Sequence, residues 1–176
     1  HHRIVITSLD GKVLDVVGSR EAGLTNGDFS QAKFDDPLGL TLNDETLYVA
    51  DNKNHAIREV GLANQNVKTI AGTGQQATAF HSGGTGTEVD LNSPWDLALY
   101  DGILFIAMAG FHQLWRLDLA TLEVRPHAGS SREGIVDGPL ASAELAQPSG
   151  ITSDGQRPSS TARPAQYAPQ PSTVTV

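Results

Sequence analysis

The chain has 176 residues, of which 39% are hydrophobic, and 20 acidic against 12 basic residues give it a formal net charge of −8. This charge argues against nucleic acid and anionic membrane surfaces as partners, because both are bound through clustered Lys and Arg. The absence of cysteine excludes disulfides, thiolate metal sites and a thiol nucleophile but fits any compartment, the cytoplasm being slightly favoured. No apolar run has the ~18 residues of a transmembrane helix.

Short strand patterns follow one another along the chain. Residues 1–18 predict two strands joined by a turn, which is the end of a blade. Residues 37–72 and 94–129 each predict four strands, in which β-branched and aromatic residues alternate with polar ones between turns rich in Asn, Asp and Gly. Residues 148–153 predict one further strand, the start of another blade.

These segments are copies of one unit. They open on Pro37, Pro94 and Pro148, which are spaced 57 and 54 residues apart, and the two longer copies close on Gly72 and Gly129. A long period filled with short strands predicts a propeller-like array with one blade per repeat. We therefore predict an all-β fold: a partial β-propeller of two complete four-stranded antiparallel blades, with half a blade before them and one strand after.

Long polar connections, Ser19–Asp36 and Thr73–Ser93, separate the blades and are expected to be functional or mobile. Near the end of each inter-blade loop stands one large apolar residue, Phe34, Leu91 or Leu145. We interpret these residues as anchors that hold each loop on its blade, each contributing ~1.5–3 kcal/mol through burial.

The repeat stops after residue 155. Residues 156–176 are rich in Pro, Ser and Ala and predict a disordered or polyproline-like tail, because they cannot bury apolar surface. The chain is thus predicted to be a propeller fragment over 1–155 followed by this tail.

The first full copy resembles a known repeat. Its opening Pro37-Leu38-Gly39-Leu40 is followed from Leu47 by Leu-Tyr-Val-Ala-Asp-Asn-Lys-Asn-His-Ala-Ile-Arg. This closely resembles the NHL repeat, which reads Pro-x-Gly, then an apolar-Tyr-Val-Ala-Asp strand, then Asn-x-x-Ile/Arg. The long inter-repeat loops resemble those members of the family in which a thioredoxin-like domain precedes a six-bladed propeller. The resemblance implies a parent with such a domain, although this chain has no Cys-x-x-Cys.

The repeat motif itself is interpreted as structural. Asp51 and Asn54 flank a tight turn that their short polar side chains stabilise, and the second copy has Met108 and Phe111 in their places. His55 is expected to bridge neighbouring strands. The structural motif residues are Pro37, Gly39, Asp51, Asn54, His55, Ile57, Gly72, Pro94, His112, Gly129, Pro148 and Gly150.

No catalytic, cofactor-binding or metal-ligating residue is predicted. His2, His55 and His112 recur once per blade, but equivalent positions on adjacent blades lie too far apart to share one ion. The glycine-rich stretches 72–74 and 83–86 lack the Lys-Ser/Thr of a phosphate loop. Carboxylates on the inter-blade loops lack regular calcium-loop spacing.

The predicted function is that of a non-enzymatic scaffold that binds an unknown protein partner by its loops or rim and needs neighbouring blades to close the propeller. Trp95 and Asp96, on a first strand, are possible rim-binding residues. The alternative is a fragment of a metal-dependent propeller enzyme of lyase or lactonase type, for which Asp96 is the candidate inward carboxylate. RNA binding is disfavoured by the charge.

Overall fold

The computed structural model describes residues 1–153 and the backbone of residues 174–175. Two antiparallel sheets dominate it. The first blade consists of β3 (Gly27–Asp28), β4 (Pro37–Asn43), β5 (Thr46–Asp51), β6 (Ala56–Gly61) and β7 (Asn66–Ala71), in the spatial order β3-β7-β6-β5-β4. The second blade consists of β8 (Gly84–Thr85), β9 (Pro94–Tyr100), β10 (Ile103–Met108), β11 (Gln113–Asp118) and β12 (Glu123–Ala128), in the spatial order β8-β12-β11-β10-β9.

Two smaller sheets complete the described structure. Antiparallel β1 (Ile4–Thr7) and β2 (Val13–Val17) form the predicted half blade. After the second blade, β13 (Thr152–Ser153) supplies the predicted extra strand and pairs antiparallel with β14 (Val174–Thr175). The remainder of the predicted tail, 156–173 and 176, lies outside the described residues.

The all-β prediction is confirmed, and the repeat is preserved residue for residue. β9 begins 57 residues after β4, and each later strand of the second blade keeps that offset. The structure adds a fifth, two-residue strand to each blade, β3 or β8, at its outer edge. These strands come from the loop that precedes the blade, and they cover an edge whose backbone groups would otherwise face solvent unpaired.

The core consists of clusters between successive blades. Ile4 and Val17 of the half blade pack with Val49 of the first blade, and Ile57 of the first blade packs in one cluster with Leu117 of the second. Each blade therefore buries its faces on its neighbours, as stacked repeats do.

The inter-blade loops are ordered by a repeated set of backbone hydrogen bonds. The glycine N–H that ends each blade donates to a carbonyl within the following loop: Gly18 to Phe29 (2.8 Å), Gly72 to Gly86 (3.1 Å) and Gly129 to Leu140 (2.7 Å). The predicted anchors are confirmed, since Phe34 and Leu91 are fully buried and Leu145 is partly buried against the last cluster.

Candidate functional site

One histidine per blade connects the turn between the second and third strands to the loop that leads into the next blade. His2, His55 and His112 all have left-handed backbone geometry, with φ of 57°, 47° and 54°. Each ring Nδ1 accepts the backbone N–H of the residue that precedes an opening proline: Asp36 to His2 (3.3 Å), Ser93 to His55 (3.0 Å) and Gln147 to His112 (3.3 Å).

This hydrogen bond needs a ring that is neutral at Nδ1, because a protonated nitrogen cannot accept. Burial lowers the pKa of His55, which favours the neutral form. The nitrogen that faces the neighbouring loop is thus committed to a structural contact. Within residues 1–153 and 174–175, no group of three or more His, Asp or Glu side chains is arranged to hold a metal ion.

Asp51 and Arg58 of the first blade form a fully buried ion pair, with 2.8 Å between Oδ2 and Nη1. The other Asp51 oxygen, Oδ1, accepts the backbone N–H of Asp35 at 2.8 Å. Asn54 donates to Asp51 Oδ2 at 2.9 Å and to the carbonyl of Gly23 at 2.7 Å. Asp51 and Asn54, the predicted pair of turn residues, therefore form a larger network with Arg58, and this network is bonded to the loop that precedes the blade.

Arg58 attaches that loop at further points. Its guanidinium donates to the backbone carbonyls of Lys33 and Thr25, both at 2.8 Å, and lies 4.9 Å from the ring centroid of Phe34. Burial raises the pKa of Asp51 and lowers that of Arg58, because each charge has left water, and the hydrogen bonds between them oppose both shifts. The network is structural, because the side chains of Asp51 and Arg58 that form its ion pair are both fully buried.

The second blade replaces this network with apolar packing. Met108, Phe111 and Trp115 occupy the positions of Asp51, Asn54 and Arg58, and all three are buried. The rings of Phe111 and Trp115 stack with centroids 5.2 Å apart. His81 completes the cluster, 5.4 Å from Trp115 by ring centroids. Its Nδ1 accepts the N–H of Gly83, and its Nε2 lies 2.8 Å from the Asp90 carbonyl.

An exposed aromatic side chain, Trp95, lies where the second blade begins. Trp95 is 42% exposed and lines a cavity of about 320 Å³, called here the Trp95 groove. The other lining residues come from four separate stretches of the chain: Gln76, then Asn92 and Ser93, then Ala109, Gly110 and His112, and finally Gln147. Its wall is held by hydrogen bonds from Gln76 to Asn92 (3.1 Å) and from the Gln147 N–H to His112.

A smaller cavity of about 210 Å³ adjoins the Trp95 groove, and the two share Asn92 and Gly110. Phe80 and Phe111 line its apolar side. The long loop Thr73–Ser93 contributes to both cavities. An aromatic anchor therefore stands beside amide groups on the side of the molecule that carries the inter-blade loops.

Asp96, the other predicted rim residue, is engaged by the backbone. Its Oδ1 accepts the N–H of Leu97 at 2.9 Å, and its Oδ2 accepts the N–H of Ile151 at 3.0 Å. The carboxylate thus links the second blade to the start of the next. Asp96 occupies the position in the second blade that Gly39 occupies in the first. A Cβ added to Gly39 would collide with the backbone of Trp95 and Asp96.

The remaining motif residues occupy structural positions. Pro37 and Pro94 begin β4 and β9, whereas Pro148 precedes β13 by four residues. Gly72 has a φ of +94°, and a Cβ there would meet the carbonyl of His55. Gly129 repeats this arrangement against His112 with a φ of +101°, and Gly150 stands in open space. Ile57 is fully buried between the blades.

Successive antiparallel blades that pack face to face, with histidine contacts from each to the next, define a β-propeller segment. The NHL repeat family model matches residues 34–59, which span β4, β5 and most of β6. The resemblance predicted from the sequence is confirmed: this chain carries an NHL repeat and belongs with the NHL repeat propellers.

The relatives show the same family. NHL repeat-containing protein 2 of Gallus gallus is 39% identical over 127 residues, which are 68% of this chain and 18% of the relative. The Homo sapiens protein of that name is 37% identical over 125 residues, 66% of this chain and 17% of the relative. Protein SUPPRESSOR OF QUENCHING 1, chloroplastic, of Arabidopsis thaliana is 39% identical over 145 residues, 80% of this chain and 14% of the relative. The chain therefore spans less than a fifth of the length of these relatives.

Similarity to solved structures shows the fold of this chain and nothing further. An auxiliary nutrient binding protein from Bacteroides thetaiotaomicron VPI-5482 has a TM-score of 0.57 and 18% identity. The match covers 70% of this chain and 33% of that protein's chain. A protein of unknown function from the same organism has a TM-score of 0.52 and 24% identity. That match covers 68% of this chain and 28% of the other protein's chain. No helix in the described part of this chain is long and apolar enough to cross a membrane.

Proposed function

We propose that this chain is a non-enzymatic scaffold segment that binds a protein partner through the Trp95 groove. The observation that carries the proposal is an exposed tryptophan set in a groove of amide side chains. Tryptophan is the residue type most enriched among those that dominate binding energy, because it buries a large rigid surface at low entropic cost.

The groove chemistry favours a peptide over other ligands. Gln76 and Gln147 bring amide groups that can both donate and accept, as a peptide backbone requires. The Asn92 amide fixes the wall instead, because its oxygen accepts from Gln76 and Ser93 and its nitrogen donates to the Ala77 carbonyl. A volume of about 320 Å³ suits one large side chain of a partner with its flanking backbone. The net charge of −8 disfavours nucleic acid.

No observation favours the lyase or lactonase alternative. That chemistry would need an inward carboxylate free to hold a metal, and both Asp96 oxygens already accept backbone N–H groups. The parent with a thioredoxin-like domain and the cytoplasmic location stay predictions. One relative is named as chloroplastic, so fractionation of cells that express a tagged chain is the test of the compartment.

The experiment is peptide selection followed by mutation. Peptides are selected from a displayed random library on the purified chain, and their affinities are measured by calorimetry for wild type, Trp95→Ala and Leu38→Ala. Leu38 is the matched control, because it occupies the position of Trp95 in the first blade and is 39% exposed.

We expect Trp95→Ala to weaken binding by roughly 30-fold or more, which corresponds to about 2 kcal/mol. Leu38→Ala should leave the affinity within about twofold of wild type. Selected peptides that bind the Trp95→Ala variant as tightly as wild type would refute the groove as the binding site. Failure of repeated selections to yield any binder would refute the proposed function.

A further inference from the structure

The loop between the first and second blades is longer than its two counterparts. Pro94 follows Gly72 by 22 positions, whereas the distance from the blade-ending glycine to the opening proline is 19 positions in the loops before and after it. Three additional residues therefore stand in this loop alone. Because the blades otherwise repeat one another, a segment that only one loop carries is a candidate for a role beyond the fold.

The additional residues lie in the segment 78–83. Ala77 and Gly84, which flank this segment, make the same backbone contacts as Gly23 and Gly27 of the preceding loop. The first residue of each pair donates its N–H to the carbonyl of the buried loop anchor, and the last pairs with the outer long strand of its blade. Six residues separate Ala77 from Gly84, whereas three separate Gly23 from Gly27.

This segment holds one aromatic side chain inside the molecule and presents another at the surface. His81 packs 5.4 Å from Trp115 by ring centroids, and both of its ring nitrogens lie against backbone groups. Its neighbour Phe80 meets Phe111 edge to face with centroids 6.0 Å apart, yet remains 53% exposed. A fixed, half-exposed aromatic side chain is of the type that dominates the binding energy of interfaces.

Phe80 and Phe111 line the cavity of about 210 Å³ that adjoins the Trp95 groove, called here the Phe80 pocket. An apolar cavity of about 150 Å³ in another protein accepts benzene, so the Phe80 pocket has room for one aromatic side chain. None of the described residues that line the pocket or the groove is Asp, Glu, Lys or Arg, although these types make up 18% of the chain. A charged side chain would therefore find no counter-charge in either cavity.

The blade that follows the second one does not account for the opening of the Phe80 pocket. The loop that leads to that blade already forms one wall of the pocket through Ser131. In the first blade, Leu24 occupies the place of Thr78, and it stays 36% exposed although a complete blade follows it. The pocket thus lies among the inter-blade loops rather than on a face that packs against the next blade.

We propose that the peptide bound by the Trp95 groove inserts a second side chain, an aromatic one, into the Phe80 pocket; this inference rests on the proposed function. The two cavities share Asn92 and Gly110, so two nearby side chains of one peptide can occupy them together. Edge-to-face contact with Phe80 and Phe111 favours an aromatic ring over an aliphatic group. Once the first side chain is bound, the second enters at high effective concentration and adds to the affinity.

The test uses the peptides selected on the wild-type chain from the random library, each remade with every residue in turn replaced by alanine. Calorimetry measures their affinities for wild type, Phe80→Ala, Thr78→Trp and Leu24→Ala. Thr78→Trp fills the pocket from its wall and retains every aromatic residue of the cluster. Leu24→Ala is the matched control, because Leu24 is an exposed apolar residue of the preceding loop and lines neither cavity. Thermal melting checks that each variant is folded.

We expect the alanine scan to identify two sensitive peptide positions, one of them aromatic. Replacing that aromatic residue by alanine should weaken binding to wild type about tenfold or more, but binding to Phe80→Ala by less than about twofold, because the pocket wall is already lost. Phe80→Ala and Thr78→Trp should each weaken the unaltered peptide about tenfold or more. Leu24→Ala should stay within about twofold of wild type.

Three results would overturn this inference and leave the Trp95 groove in place. They are peptides that need Trp95 but bind Phe80→Ala and Thr78→Trp as tightly as wild type, a second sensitive position that is charged, and an equal loss in Leu24→Ala. Failure to select any binder, or binders indifferent to Trp95→Ala, would refute the proposed function and this inference with it.

Discussion

At the scale of single residues, the repeated histidine shows how one side chain can hold two blades together. His55 lies after a 3-10 turn at Asn52–Asn54, in the left-handed region, and reaches the backbone of Ser93 near the start of the second blade. The sequence indicated a structural role because His recurs with the period of the repeat. It could not give the acceptor geometry, which depends on a loop 38 residues away.

Stability should decrease as the pH is lowered through the range in which His55 takes up a proton. Burial lowers its pKa in the folded state below the ~6.5 of an unfolded chain. Its contribution to stability is thus complete above pH ~6.5 and is lost as the pH falls through the lower folded-state pKa. His127 acts in the same direction. We expect the melting temperature to decrease between about pH 7.5 and 5.5.

The measurement is thermal unfolding followed by circular dichroism across that range for wild type, His55→Gln and His1→Gln. His55→Gln should show a flatter pH profile, because one titrating group with a lowered folded-state pKa is gone. His1 is exposed, and its replacement should leave the profile unchanged. A wild-type profile that is flat, or one that His55→Gln leaves equally steep, would contradict this account.

At the scale of the element, the two blades solve the same packing problem in different ways. The first blade fastens its preceding loop with the Asp51–Arg58 ion pair, and the second uses Met108, Phe111 and Trp115 at the equivalent sites. Replacing a buried ion pair by well-packed apolar residues is often neutral or stabilising, whereas removing one partner is strongly destabilising. This chain contains both arrangements on one scaffold.

We expect Arg58→Trp alone to destabilise the chain by about 3–5 kcal/mol, because Asp51 is left buried without its cation. Adding Phe34→Leu, Asp51→Met and Asn54→Phe, which introduces the second-blade residues at these three positions as well, should recover a large part of that loss. Urea unfolding of wild type, the single variant and the fourfold variant measures the free energies. A fourfold variant no more stable than Arg58→Trp would show that the two clusters are not interchangeable.

The elements themselves were predictable where side chains alternate. The four long strands of each blade fall within the ranges 37–72 and 94–129 that the alternation of β-branched and apolar residues predicts. β3 and β8 were not predicted, because Gly27–Asp28 and Gly84–Thr85 have no strand pattern and pair only through their position beside an outer edge. Trp95 was identified as a rim candidate, but Gln76 and Gln147, which line its groove, are too far apart in sequence to be connected by any local signal.

At the scale of the whole molecule, the described structure leaves one inner sheet face bare. Leu40 and Leu42 of β4 are 46% and 58% exposed, whereas Leu97, at the position of Leu40 in the second blade, is 4% exposed. Leu97 is covered because it packs in the cluster with Tyr48 and Ala50 of the first blade. The equivalent cover for β4 would come from the inner strands of a preceding blade.

We therefore expect the isolated chain to self-associate through β4, because a contiguous apolar strand beside other exposed apolar residues is an association site. Sedimentation velocity should show concentration-dependent species larger than the monomer. The double variant Leu40→Lys/Leu42→Lys should shift the chain toward monomer with little change in its melting temperature, since both side chains already contact solvent. Leu97→Lys is the matched control and should unfold the chain, because it buries a charge without a partner between the blades. A monomeric wild type with a sharp melting transition would show that the β4 face needs no cover, and the dependence on neighbouring blades would then be wrong.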